Sequence, residues 1–173
     1  MSRLDNGNSV LIGLPTHLIR GLQSVQNAAT RLICKLRPHH SCAIVSLQWL
    51  RISDRIIYEI AVLTFKILHR TAPQYLGPVV RVADLPGRQA LRSASTNRLV
   101  LPPIKLSTIG SRAFPVAGPQ LWNSLPENIT SAPPLLTFRK RLKTHLFKQS
   151  FPLYFMYLSI MELAVKFFLL RPL

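Results

Sequence analysis

Apolar residues recur every three or four positions through several parts of the chain, and this spacing predicts a protein built mainly of α-helices. The first such stretch has polar residues between its apolar positions, which is typical of a helix with one apolar stripe facing the core. Pro38 predicts that this helix ends near Arg37, because a proline disfavours helical backbone in the residue before it. The positions of the stripe are Leu18, Leu22, Val25, Ala29, Leu32 and Leu36.

Two more helices are predicted in residues 1–70, which are expected to form a three-helix segment. A short helix spans Ser41 to Leu50 and is expected to bury Trp49. A longer helix runs from about Ser53 to Arg70. Its apolar residues cover most of its circumference, so it is expected to lie centrally between its neighbours.

The composition changes after Pro73, and residues 71–110 are predicted to be a basic loop rich in proline, arginine and serine. Two segments, Arg98–Leu101 and Ile104–Ile109, flank a pair of prolines and have the composition of short strands. We therefore expect at most one short β-hairpin in this region.

Residues 111–150 are predicted to be a helical segment anchored by Trp122. Small residues and prolines in the stretch SRAFPVAGPQLWNSLPENI predict two tight helical pieces packed around that indole. A last helix follows from about Leu135 to Lys148, with one apolar face. The side chains expected to anchor the whole fold are Trp49, Phe114, Trp122 and Phe138.

Residues 151–173 form a hydrophobic tail, in which 17 of 23 residues are apolar. The charge-free stretch before Glu162 is short compared with the roughly 20 apolar residues that span a bilayer. Glu162 and Lys166 are four positions apart and can neutralise each other on a helix. A membrane segment in residues 151–173 therefore stays open as an alternative.

The charge of the chain indicates an anionic partner. Twenty-two Lys and Arg outnumber six Asp and Glu, which gives a formal charge of +16. Such an imbalance favours RNA or DNA first and an anionic membrane surface second. The last helix carries several cations and no acid. The side chains predicted to bind nucleic acid, by non-specific phosphate contacts, are Arg139, Lys140, Arg141, Lys143 and Lys148 on that helix, and Arg88, Arg92 and Arg98 on the loop.

No residue pattern predicts catalysis or a cofactor. The six carboxylates are scattered along the chain, whereas two-metal phosphoryl transfer needs several that converge on ions about 4 Å apart. Cys34, His39, His40 and Cys42 lack the paired half-sites of structural zinc motifs, so they are not expected to bind metal. With only two cysteines and no signal-peptide pattern at residues 1–13, an intracellular protein is expected.

Five stretches carry a family resemblance: SRLDNGNSVLIGLP, LQSVQNAATRLI, HHSCAIVSLQWLRISDRIIYEIAVLTFKILHRTAPQYL, GSRAFPVAGPQLWNSLPENI and TFRKRLKTHLF. In this order and spacing they resemble the region after the catalytic core in reverse transcriptases of LINE-type, jockey-like non-LTR retrotransposons. The resemblance covers about Ser2 to Phe147. It implies a non-catalytic carboxyl-terminal part of an RNA-directed DNA polymerase, which grips template RNA or target DNA.

The chain departs from the family pattern at several positions. The family usually reads close to LDYCN where residues 4–8 are LDNGN, and close to AFSVAAP where residues 113–119 are AFPVAGP. Pro115 and Gly118 both weaken a helix, and the tail from Phe151 has no counterpart. The expected function is therefore that of a retroelement-derived fragment that binds RNA or DNA. The alternatives are a tail-anchored or membrane-surface protein and a remnant without function.

Overall fold

The computed structural model describes residues 11–35, 43–73, 76, 79–85, 97–104, 110–157 and 160–161. Helices dominate these ranges, which confirms the mainly α class. They are α1 (Thr16–Cys34), α2 (Ala43–Ser46), α3 (Ile52–Leu68), α4 (Phe114–Ser124), α5 (Glu127–Thr130) and α6 (Leu135–Ser150), with a short 3-10 turn at Val82–Asp84. The long helix α3 packs against α1, α4 and α6, which is the central position that its apolar circumference predicted.

Three aromatic rings from three helices form the centre of the core. Phe138 of α6 stacks on Phe65 of α3 with centroids 4.5 Å apart, and on Trp122 of α4 at 5.5 Å. Trp122 is 3% exposed and Phe138 is fully buried. The indole nitrogen of Trp122 donates a hydrogen bond to the carbonyl of Asn97 at 2.8 Å, so its one polar atom is satisfied.

Gly118 has a packing role that the sequence did not reveal. A Cβ at this position of α4 would lie 2.9 Å from the hydroxyl oxygen of Thr64. Thr64 is fully buried on α3, and its hydroxyl donates to the carbonyl of Ile60. The glycine therefore lets α3 and α4 approach closely, and Pro115 lies in the first turn of α4, where a proline is tolerated.

The predicted β-hairpin is not the pairing that the described residues show. Residues 98–100 pair with residues 80–82 through one antiparallel bridge between Arg81 and Leu99. The side-chain amide of Asn123 holds both the N–H and the carbonyl of Leu99, at 2.8 and 2.9 Å. This clamp uses one edge of the segment and leaves the other edge for residues 80–82. Residues 105–109, the rest of the second predicted strand, lie outside the described ranges.

Helix α1 packs with a different face from the apolar stripe. Gln26 is fully buried and donates to the carbonyl of Leu50 at 2.9 Å, while the side chain of Gln23 accepts from the backbone N–H of Ile52 at 2.9 Å. These two backbone groups lie in the corner between α2 and α3 and need partners. Four positions of the apolar stripe are exposed instead, namely Leu18, Leu22, Val25 and Leu32, and Leu32 is 79% exposed. The prediction that this stripe faces the core is therefore wrong.

The predicted second helix is also shorter than expected. α2 ends at Ser46, because Gln48 adopts a left-handed conformation with φ 50°. The turn buries Leu50 and leaves Trp49 only partly buried, so the expectation of a buried Trp49 is wrong. Phe114 is also partly buried, against a small cluster of isoleucines on α3.

Packing continues beyond the boundary expected at residue 150. Residues 152–157 are helical, and Phe151, Tyr154 and Phe155 pack against the main core near Phe147. Leu153 and Tyr157 face outward. Within the ranges that the structure describes, no helix combines the length and apolar character needed to cross a membrane.

We expect Trp122→Ala to lower the free energy of unfolding by about 3–5 kcal/mol, because the substitution empties the centre of the aromatic cluster. Chemical denaturation monitored by circular dichroism measures this change. The control is Leu136→Ala, since Leu136 is a highly exposed residue. Equal stability of the Trp122→Ala protein and the parent would contradict the packing described above.

We expect Gln26→Leu to lower the free energy of unfolding by about 1–3 kcal/mol, because it leaves a buried carbonyl, that of Leu50, without its donor. The matched control is Gln120→Leu, the same change at an exposed helical position of α4. A stabilised Gln26→Leu protein would show that α1 does not dock through its polar face.

Candidate nucleic-acid interface

Helix α6 presents its cations according to how it docks on the core. Phe138, Leu142 and Leu146 follow one another at intervals of four and are all buried. Successive residues of a helix are turned by roughly 100°. This buried row therefore fixes the direction of every other side chain on α6.

Three of the predicted cations lie together in a groove between α5 and α6. Lys140, Arg141 and Lys148 line this groove of about 660 Å³, and all three are exposed. Lys140 and Lys148 are two turns apart, a rise of about 12 Å along the helix axis. None of the described residues that line the groove is acidic. The groove can therefore hold an extended anion without an opposing carboxylate.

Arg141 also fixes the wall of the groove. Its guanidinium donates a hydrogen bond to the carbonyl of Asn128 on α5, at 2.7 Å. A guanidinium has five N–H donors, so this bond leaves others for an anion. Arg141 is thus both a brace between α5 and α6 and a candidate phosphate ligand.

The groove contains polar residues that the sequence did not single out. They are Asn128, Thr137, Thr144 and His145. A signal for the three on α6 exists in the sequence, because they lie at spacings of three and four from Lys140, Arg141 and Lys148. A helical projection centred on the row of Phe138 and Leu142 would have grouped them.

The other two cations of α6 project to a different side. Lys143 lines a separate pocket beside Tyr58 and Glu59 of α3. Arg139 is partly buried, and its Nε atom is enclosed without a hydrogen-bond partner among the described residues. Burial raises the pKa of the Tyr58 hydroxyl, and the charge of Arg139 opposes this shift. The five cations of α6 therefore do not form one face.

The loop arginines are not brought to the groove by the described structure. Arg98 is exposed and lines another small pocket, which also contains Glu127. Arg88 and Arg92 lie outside the described residues.

The carboxyl end of α6 is fastened to the amino end of α3. The hydroxyl of Ser150 donates a hydrogen bond to the carboxylate of Asp54. Burial raises the pKa of the Asp54 carboxyl, and the Ser150 bond and the charge of Arg51 oppose this change less strongly. Nearby, the ammonium group of Lys148 lies 5.4 Å from the ring centroid of Phe155.

Over the part of the chain that the structure describes, no group of three or more His, Cys, Asp or Glu side chains is placed to hold a metal ion. Cys34 is described and is partly buried at the end of α1. His39, His40 and Cys42 lie outside the described ranges.

Comparisons with known protein families, with curated proteins and with solved structures find no match to this chain.

The pKa of Asp54 predicts a pH dependence of stability. A carboxyl whose pKa is higher in the folded than in the unfolded state binds its proton more tightly when folded. Its contribution to stability is therefore present below the ordinary value of 3.8 and is lost as the pH rises through the folded-state pKa. We expect Asp54→Asn to remove this decrease in the free energy of unfolding just above pH 3.8. Denaturation at a series of pH values measures it, with the exposed Asp84→Asn as control. Identical pH profiles for the parent and Asp54→Asn would contradict the assignment.

Proposed function

We propose that this chain is a non-catalytic nucleic-acid-binding protein that holds RNA or DNA through phosphate contacts in the groove between α5 and α6. The observation that supports the proposal most directly is the exposure of Lys140, Arg141 and Lys148 in a groove whose described lining contains no acid. Such contacts position a nucleic acid without reading its sequence.

The electrostatics of the groove favour a polyanion. The chain carries a formal charge of +16, which raises the local concentration of a nucleic acid before any contact forms. Each Lys or Arg that neutralises a phosphate releases condensed counterions, and this release makes binding depend on salt. The two lysines on α6 are about 12 Å apart along the helix axis, so they can contact different phosphates of one strand.

We further propose that the chain derives from the reverse transcriptase of a LINE-type, jockey-like non-LTR retrotransposon. The sequence resemblance over about Ser2 to Phe147 supports this origin. A nucleic-acid groove without a catalytic carboxylate cluster is consistent with a carboxyl-terminal part of such an enzyme. A remnant that has lost even binding would be distinguished by the absence of any salt-dependent affinity.

One observation favours a second candidate, an association with a membrane surface. Leu153, Met156 and Tyr157 are exposed in the helical residues after α6, and Lys148 lies beside Phe155 of the same stretch. Apolar residues beside cations are typical of helices that lie on anionic bilayers. Replacing the exposed Leu153, Met156 and Tyr157 with Ser would abolish binding to anionic vesicles if these residues are the membrane contact, and would leave the core packing of Tyr154 and Phe155 in place.

We expect Lys140→Gln with Lys148→Gln to flatten the slope of log K against log salt concentration by about 1.8 for duplex DNA and about 1.4 for a single strand, since each lost phosphate contact contributes roughly 0.9 or 0.7. Fluorescence anisotropy with labelled oligonucleotides at several salt concentrations measures these slopes. The loss should be similar for unrelated sequences.

The control removes the same charge elsewhere, with Arg20→Gln on α1 and Lys35→Gln just after it, both at exposed positions. If both double variants reduce the slope equally, the chain binds through its overall charge and the groove is not the site.

A further inference from the structure

A second cavity borders α6 at Lys143, outside the groove. It has a volume of about 340 Å³ and lies between the corner of α2 and α3 on one side and α6 on the other. Two aromatic side chains, Trp49 and Tyr58, line it together with the cations Arg55 and Lys143 and the acid Glu59. Its volume is at the lower end of the range of small-molecule sites.

Trp49 is only partly buried, beside the corner between α2 and α3. The left-handed turn at Gln48 buries Leu50 and leaves the indole of Trp49 partly exposed in this cavity. The guanidinium carbon of Arg55 lies 6.0 Å from the centroid of the indole, at the outer limit of a cation–π contact. The cavity therefore offers an aromatic surface with a positive charge at its side.

The charge of the cavity is positive in balance. Arg55 and Lys143 line it, Arg139 adjoins it through Tyr58, and Glu59 is the one acid among its described lining residues. Burial lowers the pKa of Arg55, and the charge of Glu59 opposes this change. Burial also raises the pKa of Tyr58, which keeps its hydroxyl neutral. Because Arg55 and Tyr58 are partly removed from water, the attraction between Arg55 and an anion in the cavity is less screened than at a fully exposed site.

We propose that this cavity binds an unpaired nucleobase of single-stranded RNA or DNA, stacked on Trp49, with the neighbouring phosphate held by Lys143 and Arg55. The inference rests on the proposed function, and it names the form of nucleic acid that the chain prefers. Aromatic rings beside cations are the means by which proteins hold single strands without regard to sequence, because every base has a π-face.

The arrangement of the two sites explains the preference. Lys140 and Lys148 line the groove and Lys143 lines the cavity, and Lys140 and Lys143 are neighbours three residues apart on α6. A helix is about 10 Å across, so a flexible strand of a few nucleotides can pass over α6 and reach both sites. A duplex can contact the groove, but it cannot place a base in the cavity without breaking a pair.

Intrinsic fluorescence tests the cavity directly, because the chain has two tryptophans and Trp122 is buried. We expect an oligothymidylate of about 12 nucleotides to quench the emission of Trp49, and a duplex of the same length to quench it much less. Trp49→Leu should remove the quenching. In anisotropy measurements the same variant should weaken single-strand binding about tenfold or more and leave duplex binding unchanged. Trp49→Tyr, which keeps an aromatic ring, should retain most of the affinity.

The possible results separate this inference from the proposed function. One result is that Trp49→Leu binds single strands as tightly as the parent while the Lys140 and Lys148 variant still flattens the salt slope. This result overturns base binding in the cavity and supports phosphate binding in the groove. Equal weakening of single-strand and duplex binding by Trp49→Leu, or quenching by polyglutamate as strong as that by the oligonucleotide, also overturns base stacking.

If the parent binds no oligonucleotide at low salt, the proposal that the groove binds nucleic acid is overturned. Thymidine monophosphate then tests base binding in the cavity alone. Quenching that this nucleotide causes in the parent and not in Trp49→Leu supports the cavity, and its absence overturns it.

Discussion

The contact between Phe65, Trp122 and Phe138 is the constraint on which the other features depend. The three rings come from α3, α4 and α6, and Trp122 also holds the loop at Asn97. Because Phe138 is fixed between the other two rings, α6 cannot rotate about its axis without breaking the core. The rotation of α6 in turn decides which of its cations face the groove and which face Trp49. The interior packing thus sets the pattern of charge on the surface.

The resulting surface has two basic regions with different chemistry, separated by one helix. The groove offers flexible ammonium groups and an arginine braced against α5, which suits contacts with a phosphate backbone. The cavity offers an indole with cations beside it, which suits a base. A net charge of +16 favours non-specific attraction of nucleic acid, so selectivity between single and double strands has to come from shape, and we propose that the cavity supplies it.

Periodicity predicted the elements that are held by apolar burial. α3 begins and ends within two residues of its expected bounds. α6 has the predicted apolar face, because leucine and phenylalanine at helical spacing are stabilised by burial against the core. Periodicity did not predict which face of α1 docks, because that depends on two backbone groups, at Leu50 and Ile52, that only the tertiary structure brings to Gln26 and Gln23. The separation of Arg139 from the groove was implicit in the spacing of Phe138 and Leu142, whereas the partial exposure of Trp49 depended on a turn that the sequence did not signal.

The docking of α1 through polar side chains has a consequence for the local unfolding of the protein. Its leucines gain nothing from the docked position, so α1 is retained by a few directional hydrogen bonds and by Ile19 against the isoleucines of α3. Detaching it costs much less apolar burial than detaching α3 or α6, and amide hydrogens in α1 should exchange with solvent at a lower free energy than those of the aromatic core. Exposed apolar residues of α1 are therefore carried by a long helix that is held with little apolar burial. Self-association at high protein concentration should begin there, and it should be favoured by the salts that strengthen apolar burial.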